Sequence, residues 1–138
     1  MIRATLMAAT CLFALAAQAE TVKFKGSMTG AQEVPATDSP GTGTADATLD
    51  TTTKKLTYTV TWASLTGPAT AAHFHGPAAM GKNAGVAVSF GNNPTTPVNG
   101  TATLTDDQVK EMMAGDFYAN VHTKAHPGGE IRGQMMKQ

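Results

Sequence analysis

The stretch Leu56-Thr57-Tyr58-Thr59-Val60-Thr61-Trp62 decides the fold class of this chain. Large apolar side chains alternate with threonines along it, and a period of two is typical of a β-strand with one buried face and one exposed face. Aromatic and β-branched residues are also enriched in strands. The stretch therefore predicts an amphipathic strand of an antiparallel sheet.

Similar short patterns recur on both sides of this strand, separated by glycine, proline and asparagine. They predict seven further strands, at residues 21–28, 44–49, 69–75, 85–90, 100–104, 117–122 and 129–135. One short helix is predicted between the capping residue Thr105 and Gly115, with an apolar stripe of Val109, Met112 and Met113. About eight strands and one short helix predict an all-β fold, an antiparallel, Greek-key-like β-sandwich.

Composition restricts the class of protein further. The chain has 138 residues, of which 41% are hydrophobic and 14% charged, so it is expected to form a single domain with a buried core. Ten basic residues balance ten acidic ones. A neutral chain lacks the basic surface of a nucleic-acid-binding protein, so no nucleic-acid partner is predicted.

The first residues have the features of an export signal. Arg3 precedes an apolar run at residues 4–17, and Ala17-Gln18-Ala19 is typical of a signal-peptidase cleavage site. We therefore expect residues 1–19 to be a signal peptide and residues 20–138 to be the mature domain, located in the periplasm or secreted, with no membrane span after cleavage. The one cysteine, Cys11, lies within the predicted signal, so the mature protein would have no disulfide and no thiolate.

The four histidines fall in two short segments. His73 and His75 form a His-x-His on a predicted strand, where the period of two places both imidazoles on one face. His122 ends another predicted strand, on the face opposite its apolar residues, and His126 follows in a turn before Pro127. Three or four imidazoles would converge if the two segments were neighbours.

Clustered imidazoles without thiolates favour a transition-metal site. The metal ligands predicted are His73, His75, His122 and His126, with Met80 as a further candidate. Copper is preferred over zinc because an all-nitrogen site follows the affinity order in which Cu²⁺ stands highest. The alternative is that each histidine is a hydrogen-bonding strand residue without a metal.

Three charged residues also stand out. Glu130 and Arg132 lie on one face of the last predicted strand, and Glu33 lies in a loop near the first. We interpret them as candidates for a structural ion pair that ties the last strand to the Glu33 loop, in preference to catalytic residues.

Four motifs in the same order resemble the CHRD domain, a family named after chordin that also occurs as single exported bacterial domains. The motifs cover most of residues 21–135, and they are Gly30-Ala31-Gln32-Glu33-Val34-Pro35, Ala71-Ala72-His73-Phe74-His75-Gly76-Pro77, Gly115-Asp116-Phe117-Tyr118-Ala119-Asn120-Val121-His122-Thr123 and Pro127-Gly128-Gly129-Glu130-Ile131-Arg132-Gly133-Gln134. The resemblance implies an extracytoplasmic β-sandwich. It carries over His73, His75, His122, Glu33, Glu130 and Arg132, whereas His126 falls at a variable position.

A weaker resemblance links the chain to Cu/Zn superoxide dismutase, a Greek-key sandwich with a His-x-His, later histidines and an arginine near copper. This chain lacks the disulfide, and four histidines cannot fill separate copper and zinc sites. A copper-only site with Arg132 steering superoxide would still fit this resemblance.

Three functions therefore compete on the sequence alone. The preferred one is an exported protein that binds or handles a metal ion, copper first. The second is a non-catalytic interaction module of the envelope or extracellular space, with a protein partner or homodimer that the sequence does not identify. The third is a copper-only enzyme of the superoxide dismutase type.

Overall fold

The computed structural model describes residues 18–138. The predicted signal peptide falls almost entirely on residues 1–17, outside the described part. The described chain forms nine strands, one α-helix and a 3-10 turn at Gly30–Gln32. In chain order the elements are β1 Thr21–Thr29, β2 Thr42–Asp50, β3 Lys55–Ala63, β4 Ala69–His75, β5 Val86–Asn92, β6 Val98–Thr103, α1 Asp106–Met113, β7 Tyr118–Thr123, β8 Ile131–Gln134 and β9 Met136–Lys137.

The strands form a single antiparallel sheet. Its order is β5-β4-β7-β8-β1-β2-β3-β6, and the short β9 pairs with β1. The two end strands, β5 and β6, contact each other, so the sheet nearly closes on itself as a barrel-like sandwich. The predicted all-β antiparallel architecture is therefore confirmed.

The alternation of apolar residues and threonines in Leu56–Trp62 corresponds to an alternation of buried and exposed side chains in the structure. On β3, Leu56, Tyr58 and Val60 are buried, whereas Thr57 and Thr59 are exposed. The Tyr58 ring packs edge-on against Phe74 of β4, with 5.3 Å between ring centroids. Burial of such side chains contributes roughly 1.5–3 kcal/mol each. The core thus lies inside the curved sheet, between β3 and β4.

The helix forms where it was predicted. The Thr105 side chain accepts a hydrogen bond from the Gln108 backbone N–H at 3.1 Å, and the Gln108 side chain accepts one from the Thr105 N–H at 3.0 Å. This reciprocal pair is a capping box, which satisfies two of the N–H groups that a helix start leaves free. Met112 is fully buried and anchors the helix to the core.

The last predicted strand, 129–135, differs from the structure. Gly129 has a positive φ of 127°, which belongs to a turn, and the strand begins only at Ile131. The segment then divides into β8 and β9, separated by the buried Met135. Among residues 18–138, no helix is long and apolar enough to cross a membrane.

Candidate metal centre

The pairing of β4 with β7 brings the two histidine segments together. His73 lies opposite Asn120 in the register, His75 lies opposite Tyr118, and His122 lies opposite Ala71, diagonal to His73. Alternate residues of both strands, such as Phe74 and Val121, point to the core and are fully buried. The histidines therefore share the opposite face of the sheet.

His73, His75 and His122 form one group, called the histidine cluster below. One ring nitrogen from each residue lies within 4.8 Å of the others. His73 Nδ1 is 3.1 Å from His122 Nε2. The centroid of the His75 ring is 5.2 Å from that of His73 and 6.1 Å from that of His122. Three imidazoles thus converge, as the sequence predicted for neighbouring segments.

Backbone carbonyls fix the tautomers of two of these rings. His75 Nδ1 lies 3.0 Å from the Ala84 carbonyl oxygen, and His122 Nδ1 lies 2.9 Å from that of Pro127. A carbonyl oxygen only accepts, so both Nδ1 atoms carry the hydrogen and both Nε2 atoms present a lone pair. His122 Nε2 therefore accepts from His73 Nδ1 at 3.1 Å, whereas His75 Nε2 is bare. A ring nitrogen bonded to a carbonyl, with no hydrogen on the other nitrogen, is the usual arrangement of metal-ligating histidines.

His75 Nε2 has no partner. The residue is 8% exposed, and this nitrogen is buried without a hydrogen bond. Among the described residues, the one other buried side-chain atom without a partner is Asn120 Oδ1. Unpaired polar atoms are uncommon in protein interiors, and an ion is one of the standard reasons for them.

Burial lowers the pKa of two of these histidines. Together with the nearby His122 and His75, it lowers the pKa of His73 to about 4. It also lowers the pKa of His75, against the opposing effect of its bond to Ala84. Neutral imidazole is the form that binds a metal, so His73 and His75 need not lose a proton near neutral pH to do so.

The Tyr118 ring and the Arg132 guanidinium stack in a column on one face of the His75 ring. The Tyr118 ring is parallel to the His75 ring, with centroids 4.8 Å apart and planes 5° from parallel. The Arg132 guanidinium lies 3.6 Å from the centroid of the same Tyr118 ring. The Tyr118 hydroxyl donates to the Ala84 carbonyl at 3.2 Å, so this oxygen accepts from both His75 and Tyr118. The stack holds the His75 ring in one orientation.

Among residues 18–138, Arg132 has no carboxylate oxygen of Glu33 or Glu130 within ion-pair distance. In the part of the chain that the structure describes, the ion pairs are Lys54–Asp106 and Lys110–Asp107. Arg132 donates instead to Asn83 Oδ1, the Ala79 carbonyl and Gln134 Oε1. The guanidinium lies against Tyr118 and the segment 76–85, so its charge is spread over neutral acceptors and an aromatic face.

The two glutamates have separate partners. Glu130 is fully buried and accepts hydrogen bonds from the Ser39, Thr66 and Thr123 hydroxyls and from the Thr66 N–H. Glu33 accepts from Asn120 Nδ2. Burial raises the pKa of Glu33 to about 7, although the Asn120 hydrogen bond and the Arg132 charge act in the opposite direction.

Two of the predicted ligands lie elsewhere. His126 is outside the histidine cluster, half-buried on the turn between β7 and β8, where it lines an open cavity of about 510 Å³ with Glu33 and Pro127. Met80 is 65% exposed on the segment 76–85. His126 lies apart from the other three histidines because the strand ends at Thr123, so no sheet register aligns the turn residue with His122.

Asn120 and Tyr118 are the site residues that the sequence reasoning passed over. Both share a face with His122 by alternation. Neither residue belongs to a recognisable metal-binding motif, because an amide and a phenol in a largely apolar strand form no characteristic ligand pattern. The signal that points to them is a polar residue at every second position of β7, in a strand whose other residues are buried.

Comparison with known proteins identifies the family. The family model of the CHRD domain matches residues 24–135, most of the chain. The protein therefore belongs to the CHRD domain family, as the four sequence motifs indicated. Searches of curated proteins and of solved structures found no significant match.

Proposed function

We propose that this protein is an exported metal-binding protein, and that His73, His75 and His122 hold a copper ion. The observation that carries the proposal is the buried, unpartnered Nε2 of His75 beside the imidazoles of His73 and His122. A buried acceptor without a donor costs about 1–3 kcal/mol, and a bound cation removes this cost.

The spacing of the nitrogens fits a common metal ion. Metal–nitrogen bonds of about 2.0–2.1 Å with ligand angles between square-planar and tetrahedral place two nitrogens about 2.9–3.4 Å apart. The distance of 3.1 Å between His73 Nδ1 and His122 Nε2 lies within this range. His75 needs only a small rotation or shift to complete a three-nitrogen site, since all three ligand atoms lie within 4.8 Å of one another.

The donor set favours copper, with zinc as the second choice. Residues 18–138 contain no cysteine, so the ligands in reach are imidazole nitrogens and oxygen atoms. Such a set binds Cu²⁺ more tightly than the other first-row divalent ions. The export signal at residues 1–19 and the CHRD family support a location in the periplasm or outside the cell.

The superoxide dismutase alternative has less support. Arg132 is 1% exposed and is covered by Tyr118 on one side. A guanidinium in this position does not face solvent, so it is poorly placed to attract a superoxide anion. We therefore propose binding or handling of the metal as the function.

A titration of the purified, chelator-treated protein tests the proposal. Calorimetry with Cu²⁺ and with Zn²⁺ should show one site per chain, tighter than about 1 μM for copper. His75→Ala and His122→Ala should each weaken binding by about 100-fold or more, because each removes a ligand. His126→Ala is the matched control and should bind like the parent. A parent protein that binds neither metal tighter than about 1 μM would instead favour the interaction module.

A further inference from the structure

The Asn120 amide is the second unsatisfied group at the histidine cluster. Its side chain is 2% exposed, and its Oδ1 is buried with no hydrogen-bond partner. Asn120 lies directly opposite His73 in the register and on the same face as His122. An orphaned oxygen and an orphaned nitrogen therefore occur at the same place.

The two orphaned atoms belong to diagonal neighbours of adjacent strands, because Asn120 lies opposite His73 and His75 lies two residues further along β4. His75 Nδ1 already donates to Ala84, so Nε2 is the ring atom that lacks a partner. Two lone pairs brought together in a buried site repel each other, and a cation between them turns this repulsion into attraction.

Glu33 fixes the orientation of the amide. Asn120 Nδ2 donates to Glu33 Oε1 at 2.5 Å, so Oδ1 lies on the side of the amide away from this carboxylate. Rotating the amide by half a turn would place Oδ1 against the Glu33 oxygen. Gly129 allows the close approach, because a Cβ at this position would collide with both Asn120 Nδ2 and Glu33 Oε1.

We propose that Asn120 Oδ1 is the fourth ligand of the metal, and that Glu33 is the positioning residue that aims this oxygen. The site is then three imidazole nitrogens and one amide oxygen. This inference rests on the proposed function, because it assigns a further ligand to the same ion. It also explains why an amide lies buried on a histidine face.

Substitutions of Asn120 test the inference. In the full protein, Asn120→Leu should weaken Cu²⁺ binding by about tenfold or more and change the copper hyperfine splitting in the EPR spectrum. Asn120→Asp combined with Glu33→Gln keeps an oxygen at the same place and restores a donor–acceptor pair behind it, so the double variant should recover most of the affinity. Gln134→Met is the matched control, since it removes another buried amide of this face whose bonds go to Ala78, Gly115 and Arg132.

The positioning role of Glu33 has its own test. Glu33→Gln keeps an acceptor for Asn120 Nδ2 and should retain the parental EPR spectrum. Glu33→Leu removes the acceptor and should shift the spectrum toward that of Asn120→Leu. Identical parental spectra for both Glu33 variants would overturn the positioning role.

The outcomes separate this inference from the proposed function. A parent protein that binds no metal overturns both. A parent that binds copper while Asn120→Leu keeps the same affinity and spectrum overturns the fourth ligand alone. If Asn120→Leu does not fold, the crystal structure of the Zn²⁺-loaded parent decides: the inference expects an Oδ1–zinc distance of about 2.0–2.2 Å. A water molecule in the place of Oδ1 would overturn it.

Discussion

At the scale of single residues, Glu130 shows how a buried charge is accommodated without a cation. Ser39, Thr66 and Thr123 come from three separate parts of the chain, and all donate to this one carboxylate. Burial alone would raise the pKa of Glu130, but these hydrogen bonds outweigh it and lower the pKa to about 2. Glu130 therefore stabilises the fold only while it is ionised.

The metal-free protein should lose stability in acid because of Glu130. Its folded pKa lies below the ordinary value of 4.5, so its contribution is complete above pH 4.5 and disappears as the pH falls toward 2. The loss has an upper limit of about 3.5 kcal/mol at about 1.4 kcal/mol per pH unit. Urea unfolding of the parent and Glu130→Gln at pH 7 and pH 3 measures it.

The difference between parent and Glu130→Gln should be larger at pH 7 than at pH 3, since the variant has no proton to gain. Glu111→Gln, on the helix surface, serves as the control. A difference that does not change with pH would show that Glu130 is not the group responsible.

Gly129 is the residue at which a single methyl group should disturb the site. Its φ is 127°, and an added Cβ would collide with the Asn120 amide and the Glu33 carboxylate. Gly129→Ala should destabilise the protein by about 1–3 kcal/mol, the usual cost of such backbone strain, and should also weaken metal binding. The neighbouring Gly128 has no atom within 4 Å of its Cβ position.

Thermal unfolding and copper titration of Gly129→Ala and Gly128→Ala measure both effects. Gly128→Ala should resemble the parent in both. Equal behaviour of the two variants would contradict the steric argument.

At the scale of elements, hydrogen bonds from Arg132 and Tyr118 hold the segment 76–85 in place next to His75. Arg132 bonds Ala79 and Asn83, and the Tyr118 hydroxyl bonds both the N–H and the carbonyl of Ala84. The same Ala84 carbonyl fixes the tautomer of His75. The position of the segment 76–85 and the orientation of the His75 ring are therefore linked through one residue, Ala84.

Arg132→Met should make the segment 76–85 more mobile. The substitution removes the hydrogen bonds to Ala79 and Asn83 and the charge over Tyr118, so amide hydrogens in the segment should exchange about tenfold faster or more. Hydrogen exchange followed by mass spectrometry measures this, with the exposed Lys82→Met as the control. Unchanged exchange in Arg132→Met would show that other contacts hold the segment.

The elements also show what sequence could and could not predict. His73 and His75 lie on one face, and His122 lies opposite Val121, because strand alternation is a local property that the sequence carries. The pairing of β4 with β7 depends on contacts between residues about fifty positions apart. No local sequence pattern encodes it.

The surroundings of Arg132 have a different physical source. Counting charges on one strand face suggested a glutamate partner, but Glu130 already has hydroxyl and N–H donors, and Arg132 has an aromatic ring. Several neutral partners of the two charges, such as Asn83, Ser39 and Thr66, come from parts of the chain far away in sequence. Such partners are set by the tertiary fold, and a strand pattern does not reveal them.

At the scale of the whole molecule, metal binding and folding should be coupled. The cluster draws on β4 and β7, which lie next to each other in the sheet only when the chain is folded. A ligand that binds only the folded state stabilises it by about 2.7 kcal/mol at a concentration of 100 times Kd. Copper should therefore raise the melting temperature of the parent.

A His75→Ala variant should not respond in this way. Differential scanning fluorimetry with and without Cu²⁺ compares the two proteins at equal concentration, and His126→Ala should shift like the parent. A similar shift in parent and His75→Ala would mean that copper binds somewhere other than the histidine cluster.

The position of β1 in the sheet also sets the order of events as the chain folds. The first strand lies between β2 and β8, and Thr29 is paired with Arg132 near the far end of the sequence. The sheet therefore cannot close until almost the whole polypeptide has left the ribosome. Closure across such a separation is slow compared with local hairpin formation. A nascent chain of this kind keeps its sheet open until its last strands have been made.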